Sequence, residues 1–232
     1  MKQPLVQLKH VTIAYDPLRP VFENADLTIY EHEFLGITGP NGGGKTTLVK
    51  TILGLEKVVK GELLFFKAGK QVKSLEIGYL PQRNKIDAQF PVSVYEVVLS
   101  GLAGQKKIWQ RFSKEQHERV REMIEEVGLS GFEQQPIGML SGGQQQRAFF
   151  ARAVIANPDL LILDEPNTYV DQTFEHRLYE LLEEISRHST VLLVSHNLAE
   201  VVQYARDYIF VSHCIEACPE NEDSRKWLEA RM

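Results

Sequence analysis

The sequence has few cysteines and no long apolar run, and these absences exclude several classes of protein. Only two of its 232 residues are cysteine, Cys214 and Cys218, so no disulfide framework holds the fold and a reducing cytosol is the expected compartment. No segment approaches the roughly 20 consecutive apolar residues that span a bilayer. A net charge of −5 leaves no broad basic surface, so nucleic acid is not an expected partner.

Short apolar runs that alternate with helical patterns make up much of the chain. The runs at 33–38, 160–163 and 191–194 are continuous, which is typical of strands buried in a parallel sheet. Helical spacing follows the first run at 46–53 and connects the other two at 173–187. This order of elements predicts an α/β protein with a parallel sheet.

A β region precedes this pattern, and a helical block interrupts it. Residues 6–13 and 25–30 are strand candidates, whereas helical spacing dominates from 84 to 155. Helices are predicted in that block at 92–102, 114–127 and 141–155. We therefore expect a single domain, with 1–83 and 156–232 forming the core and its β subdomain, and 84–155 forming an inserted helical subdomain.

A glycine-rich loop between the first buried run and the following helix is the strongest chemical signal. It fits the pattern G-x-x-x-x-G-K-[ST] and consists of Gly39, Pro40, Asn41, Gly42, Gly43, Gly44, Lys45 and Thr46. Glycines let the backbone wrap a phosphate with its N–H groups pointing inward, at the positive end of the helix. Lys45 is expected to reach the β- and γ-phosphates, the Thr46 hydroxyl to ligate Mg²⁺, and Thr47 to belong to the same nucleotide site.

Two carboxylates follow the apolar run 160–163. Asp164 stands where the predicted strand meets the crevice in which open α/β sheets bind ligands, so it can hold Mg²⁺ directly or through water. Glu165 comes next and is placed to polarise an attacking water as a general base. Beside a complete phosphate loop, a pair of solvated strand-end acids is the weaker interpretation.

Residues 140–147 identify the family. They read Leu-Ser-Gly-Gly-Gln-Gln-Gln-Arg and resemble the signature motif of the ABC (ATP-binding cassette) family. The resemblance covers essentially the whole chain. It implies an α/β fold: a P-loop NTPase (RecA-like) core with an N-terminal antiparallel β subdomain and an inserted α-helical subdomain. It also implies ATP and Mg²⁺ as cofactors.

The signature also implies a homodimer. Ser141 and the amides of Gly142 and Gly143, at the start of a helix, make a second anion-binding site. In ABC proteins this site, to which we also assign Gln144, faces the γ-phosphate that the opposite subunit's phosphate loop holds. Each subunit therefore supplies half of two active sites.

Smaller motifs follow in the order usual for the family. Tyr15 resembles the aromatic residue that stacks on adenine, although a core or strand-face tyrosine is the alternative. Gln82 resembles the glutamine that touches Mg²⁺ or the lytic water, and Asp171 the aspartate that contacts the other subunit. His196 resembles the histidine that contacts the γ-phosphate.

Four positions depart from the family's usual pattern. Gly43 stands where alanine or serine is frequent, Asn197 replaces an aspartate, and Tyr169-Val170 replaces small residues. None of these changes removes an acid, a base or a phosphate ligand, so we expect an active ATPase.

One compact cassette without a long coiled coil favours a transport role over a non-transport ABC ATPase. Residues 90–101 resemble the corresponding stretch of bacterial importer cassettes for manganese, zinc or iron. Cassettes of iron–siderophore or haem importers, or of exporters, are the alternatives. The resemblance implies permease subunits as partners, an extracytoplasmic substrate-binding protein as an indirect one, and a peripheral location at the cytoplasmic face of the cell membrane.

His213, Cys214 and Cys218 supply three soft ligands near the C-terminus. A structural zinc site normally has four ligands, so two cysteines without a metal are the favoured interpretation over a metal-sensing site.

Overall fold

The computed structural model describes residues 2–16, 18–82, 91–107, 109–166, 172–219 and 223–231. It consists of two compact units. The terminal unit contains residues 1–75 and 184–232, and the middle unit contains residues 76–183. The boundaries predicted for the helical subdomain are a different division of the chain and stay a prediction.

Ten strands and seven α-helices form the described part of the chain. The strands are β1 Pro4–Asp16, β2 Arg19–Tyr30, β3 Phe34–Thr38, β4 Lys60–Lys67, β5 Lys70–Val72, β6 Ile77–Leu80, β7 Leu160–Asp164, β8 Thr190–Val194, β9 Asp207–Val211 and β10 Ile215–Ala217. The helices are α1 Lys45–Ile52, α2 Val94–Ser100, α3 Lys114–Glu126, α4 Gly142–Val154, α5 Gln172–Ile185, α6 Leu198–Tyr204 and α7 Ser224–Glu229.

An antiparallel sheet in the order β2-β1-β4-β5 forms the N-terminal β subdomain. After Leu5, which is buried at the start of β1, the buried side chains are Val6 and Leu8 and then Val11 and Ile13, so the buried positions change from even to odd. The register against β2 shifts between Leu8 and Val11, where His10 has a φ of 51°. A β-bulge of this kind moves the side chains of the following residues to the opposite face of the sheet. It explains why apolar and polar residues alternate only in part along this strand.

A second sheet in the terminal unit supports the glycine-rich loop. In it, β3 lies between β8 and β9 and is parallel to both, while β10 is antiparallel to β9. Every residue of β3 and β8 is buried, which confirms the parallel strands predicted from the apolar runs. Parallel strands end at the same edge of a sheet, so the segments after β3 and β8 emerge side by side.

The middle unit contains the parallel pair β6 and β7 and most of the helices. Helices α2, α3 and α4 each begin with a serine in a capping box, in which the serine hydroxyl and the side chain three residues later satisfy two backbone N–H groups. The serines are Ser93, Ser113 and Ser141. In the parts of the chain that the structure describes, no helix is both long and apolar enough to cross a membrane.

Candidate nucleotide site

The predicted phosphate loop connects β3 to α1 in the terminal unit. Gly44 precedes the helix with a φ of 106°, a conformation that side chains other than hydrogen disfavour. The Lys45 ammonium donates hydrogen bonds to the carbonyls of Gly39 at 2.7 Å and Pro40 at 3.0 Å. Its charge therefore lies against the loop itself. The next residue, Thr46, presents an exposed hydroxyl on the first turn of α1.

The end of β9 and the turn after it support this loop from behind. A Cβ atom on Gly39 would lie 2.1 Å from the Val211 carbonyl oxygen, and one on Gly43 would lie 2.6 Å from the same atom. The His213 N–H donates a hydrogen bond of 2.8 Å to the Gly43 carbonyl. Sequence reasoning missed this support, because no local motif marks a contact between segments so distant along the chain.

Gly39→Ala is expected to lower the free energy of unfolding by roughly 3–5 kcal/mol, since the new methyl group meets backbone atoms and the φ of 141° is strained for alanine. Gly54→Ala is the matched control, because Gly54 also has a positive φ, of 71°, but nothing lies within 4 Å of its Cβ position. Its expected loss is about 1–2 kcal/mol. Urea denaturation measures both, and equal losses would contradict the close packing of the loop against β9.

His196 and Tyr15 are the other predicted site residues of the terminal unit. His196 is exposed and follows β8, and the adjacent Ser195 N–H donates a hydrogen bond of 3.2 Å to the Ile37 carbonyl in β3. His196 therefore lies at the sheet edge from which the phosphate loop starts. Tyr15 is 60% exposed and is not a core residue, and its hydroxyl lies 3.3 Å from the Thr47 Oγ1 atom. Its ring is available for stacking, as an adenine contact requires.

In the middle unit, the two carboxylates lie at the carboxyl end of β7. Asp164 is buried, with 5% of its surface exposed. Burial, and then the negative charge of Asp164, raise the pKa of the nearby Tyr79 phenol to about 12. Because β6 and β7 are parallel and pair Leu80 with Leu163, the segments after both strands emerge at the same edge.

Gln82 and Glu165 meet at that edge. The Gln82 Nε2 group donates a hydrogen bond to the Glu165 Oε2 atom. Glu165 has a φ of 51°, a conformation that is uncommon for residues with a side chain. The sequence indicated both residues but gave no signal that one would bind the other.

The signature motif forms the exposed start of α4, also in the middle unit. The Ser141 Oγ atom accepts from the Gln144 N–H at 3.3 Å, while the Gln144 Oε1 atom accepts from the Ser141 N–H at 3.0 Å. The Gln144 side chain therefore caps its own helix. Gln146 is buried and donates to the Pro166 carbonyl at 2.5 Å, which ties the signature helix to the segment after Glu165.

The structure gives no site geometry for two groups of residues that the sequence singled out, one assigned to the partner contact and one considered, but not favoured, for a metal. Asp171 and the Tyr169-Val170 pair lie outside the described residues. His213, Cys214 and Cys218 flank the strand β10, and Cys214 and Cys218 are separated by four positions, or about 13 Å along an extended chain. Over the described ranges, no cluster of three or more metal-ligating side chains occurs there or elsewhere.

Comparison with known proteins identifies the family. A family model described as ABC transporter matches residues 22–168. The manganese transport system ATP-binding protein of Bacillus subtilis is 39% identical over 90% of this chain and 83% of that protein. The zinc transport system ATP-binding protein of Treponema pallidum is 40% identical over 86% of this chain and 75% of that protein. The high-affinity zinc uptake system ATP-binding protein of Bacillus subtilis is 39% identical over 86% and 87%.

Solved structures share the fold. One described as an ATP-binding subunit of an ABC transporter has a TM-score of 0.81 at 20% identity, over 98% of this chain and 94% of that chain. A dimeric ATP-binding cassette in a post-hydrolysis state, bound to ADP and Pi, has a TM-score of 0.76 at 26% identity, over 92% and 98%. The chain therefore belongs to the ABC transporter family, in which it is an ATP-binding and ATP-hydrolysing subunit.

Proposed function

We propose that this subunit forms a homodimer around two ATP molecules and drives a permease that imports a divalent metal ion. The observation that carries the proposal is the presence, in one chain, of a phosphate loop and of an exposed signature helix capped by Ser141. The phosphate loop and the first turn of the signature helix both present backbone N–H groups, which are suited to bind phosphate. A phosphate held by one subunit's loop and met by its partner's signature helix would join the two subunits only when ATP is present.

Within each subunit, the phosphate loop and α1 are assigned to the nucleotide. Lys45 would exchange the carbonyls of Gly39 and Pro40 for the β- and γ-phosphates, which are stronger acceptors for an ammonium group. Thr47 lies on the same helix, within reach of the Tyr15 hydroxyl, and would keep the aromatic ring over the adenine. The contribution of Tyr15 is stacking area, which does not depend on a particular hydrogen bond.

The residues assigned to Mg²⁺ are of types that suit this ion. A hydroxyl from Thr46, a carboxylate from Asp164 and the amide oxygen of Gln82 are the hard oxygen ligands that this ion prefers. Asp164 is buried, and a bound cation would offset the cost of keeping its carboxylate charged away from water. When bound, Mg²⁺ would neutralise charge on the phosphates.

Glu165 is assigned as the general base. Its carboxylate would accept a proton from the water that attacks the γ-phosphate, and the Gln82 amide, which donates to one carboxylate oxygen, would orient it. His196 would donate a hydrogen bond to the γ-phosphate from the edge where β8 ends. Asp171 is assigned to the contact with the partner subunit.

The relatives support the identity of the cargo. Several curated proteins at 39–40% identity are named as manganese or zinc transport subunits, and the match extends over most of both chains. We infer that this chain acts peripherally at the cytoplasmic face of the membrane, on permease subunits that receive metal from an extracytoplasmic binding protein. An iron–siderophore or haem importer is the second candidate, since residues 90–101 share some of that character.

Uptake of radioactive manganese and zinc tests the cargo in cells that lack the chromosomal copy of this gene. Complementation with the unmodified subunit is expected to restore uptake, whereas Lys45→Ala is expected to leave it at the background of the deletion strain. Lys50→Ala, on the same helix but away from the loop, is the matched control and is expected to restore uptake. Restored uptake of an iron–siderophore or haem, with no change for either metal ion, would overturn the metal assignment.

A further inference from the structure

A tight turn between α2 and α3 projects a tryptophan from the middle unit. The Gln110 N–H donates to the Lys107 carbonyl at 2.9 Å, and the Lys107 N–H donates to the Gln110 Oε1 atom at 3.0 Å. The Lys106 ammonium donates to the Gln110 carbonyl at 2.7 Å. Three hydrogen bonds therefore join Lys106 and Lys107 to Gln110, and we call residues 106, 107 and 109–111 the Trp109 turn. Residue 108 lies outside the described part of the chain.

Trp109 stands at the tip of the turn with 80% of its surface exposed. The other tryptophan of the chain, Trp227, is 4% exposed. The Lys107 ammonium lies 5.9 Å from the centroid of the Trp109 ring. An indole held in this way is amphipathic: its ring is available to an apolar medium while its N–H can remain in water.

The charged residues closest to this tryptophan in the sequence are basic. Between residues 106 and 114 the sequence has Lys106, Lys107, Arg111 and Lys114 and no acidic residue, in a chain whose net charge is −5. Lys107, Arg111 and Lys114 are exposed. Lys106 lies 4.6 Å from the centroid of the Phe112 ring. Among the described residues, no acidic side chain forms an ion pair with any of these four cations, and the charges of Lys107, Arg111 and Lys114 face solvent.

We propose that the Trp109 turn contacts the anionic headgroups of the membrane that carries the permease. Tryptophan beside lysine and arginine is the combination that membrane–water interfaces select, because the ring settles at headgroup depth while the cations meet lipid phosphates. A projecting tip suits a flat, deformable surface, whereas a protein partner of comparable size would have to supply a pocket for the ring. This inference rests on the proposed membrane-peripheral function.

The Trp109 turn is expected to bind the membrane only as an auxiliary contact, in addition to the binding of the subunit to the permease. Each lysine or arginine near an anionic bilayer raises the partition coefficient by about fivefold, so the three exposed cations together give about 100-fold. The interaction weakens as salt rises, because the charges are screened within about 10 Å. The turn would thus orient a subunit that the permease already holds, with the N-terminal end of α3 directed to the bilayer.

Tryptophan fluorescence tests the proposal on the full chain without nucleotide or permease, using phosphatidylcholine vesicles with and without 30% phosphatidylglycerol (about one lipid in three, to give an anionic surface). We expect a blue shift of the emission and cosedimentation with the anionic vesicles only, both reversed by salt. Trp227→Phe is expected to retain the shift and Trp109→Ala to lose it. Lys107→Gln combined with Arg111→Gln is expected to lower the partition coefficient by about 25-fold.

Three results would overturn the proposal: no shift with anionic vesicles, an equal shift with neutral ones, or sedimentation of Trp109→Ala at the unmodified level. A permease reconstituted in phosphatidylcholine alone distinguishes contact with a protein from contact with anionic lipid. A Trp109 shift that appears only with permease in this neutral bilayer would assign the turn to a protein contact. Failure of metal uptake would overturn the cargo assignment but leaves these vesicle measurements intact, so the two proposals fail separately.

Discussion

Glu165→Gln is expected to bind ATP normally but to hydrolyse it about 10²–10⁴-fold more slowly than the unmodified subunit. An amide cannot accept the proton of the attacking water at neutral pH, whereas it retains the size of the carboxylate. The substitution also keeps an oxygen that can accept the hydrogen bond from Gln82. Because glutamine and glutamate have the same Cβ and Cγ atoms, the φ of 51° costs no more in the variant.

Single-turnover and steady-state hydrolysis of ATP, together with equilibrium binding of a fluorescent ATP analogue, measure this prediction. Glu122→Gln, an exposed glutamate on α3, is the control for loss of one negative charge and is expected to retain full activity. Near-normal turnover by Glu165→Gln would assign the base to another group. Loss of binding as well as turnover would instead show that the carboxylate has a structural role.

The parts of the site that the sequence predicted depend on short-range contacts. The phosphate loop and the signature motif each lie within eight consecutive residues, 39–46 and 140–147, so the sequence alone contains each pattern. Continuous apolar runs gave β3, β7 and β8 because both faces of those strands are buried.

The parts that the sequence did not predict depend on contacts between distant segments. The short strands β9 and β10 carry no motif, yet the Val211 carbonyl sets which residues fit at Gly39 and Gly43. The hydrogen bond between Gln82 and Glu165 arises because β6 and β7 are neighbours, which the order of elements along the chain does not reveal. The bulge at His10 likewise depends on how two strands align and not on a pattern within either.

A second large effect is expected for the signature serine. In the Glu165→Gln background, Mg-ATP is expected to convert the subunit from monomer to dimer, and Ser141→Arg is expected to abolish that conversion. Ser141 is exposed at the start of α4, where its hydroxyl and the adjacent amides would meet the partner's γ-phosphate. A long side chain at this position would occupy the space that the phosphate needs. Light scattering with and without Mg-ATP measures the mass directly.

The loss of the helix cap needs its own control, because Ser141→Arg also removes the hydrogen bond to the Gln144 N–H, at a cost of about 1 kcal/mol. Ser113→Arg removes the same kind of cap from α3, where Ser113 pairs with Gln116, and is expected to lower stability equally while leaving dimerisation intact. Ser141→Asp distinguishes the causes further, since aspartate caps a helix as well as serine but repels a phosphate. Dimerisation of Ser141→Asp at the level of the parent variant would mean that this residue does not face the nucleotide, and the shared active site would then have to be abandoned.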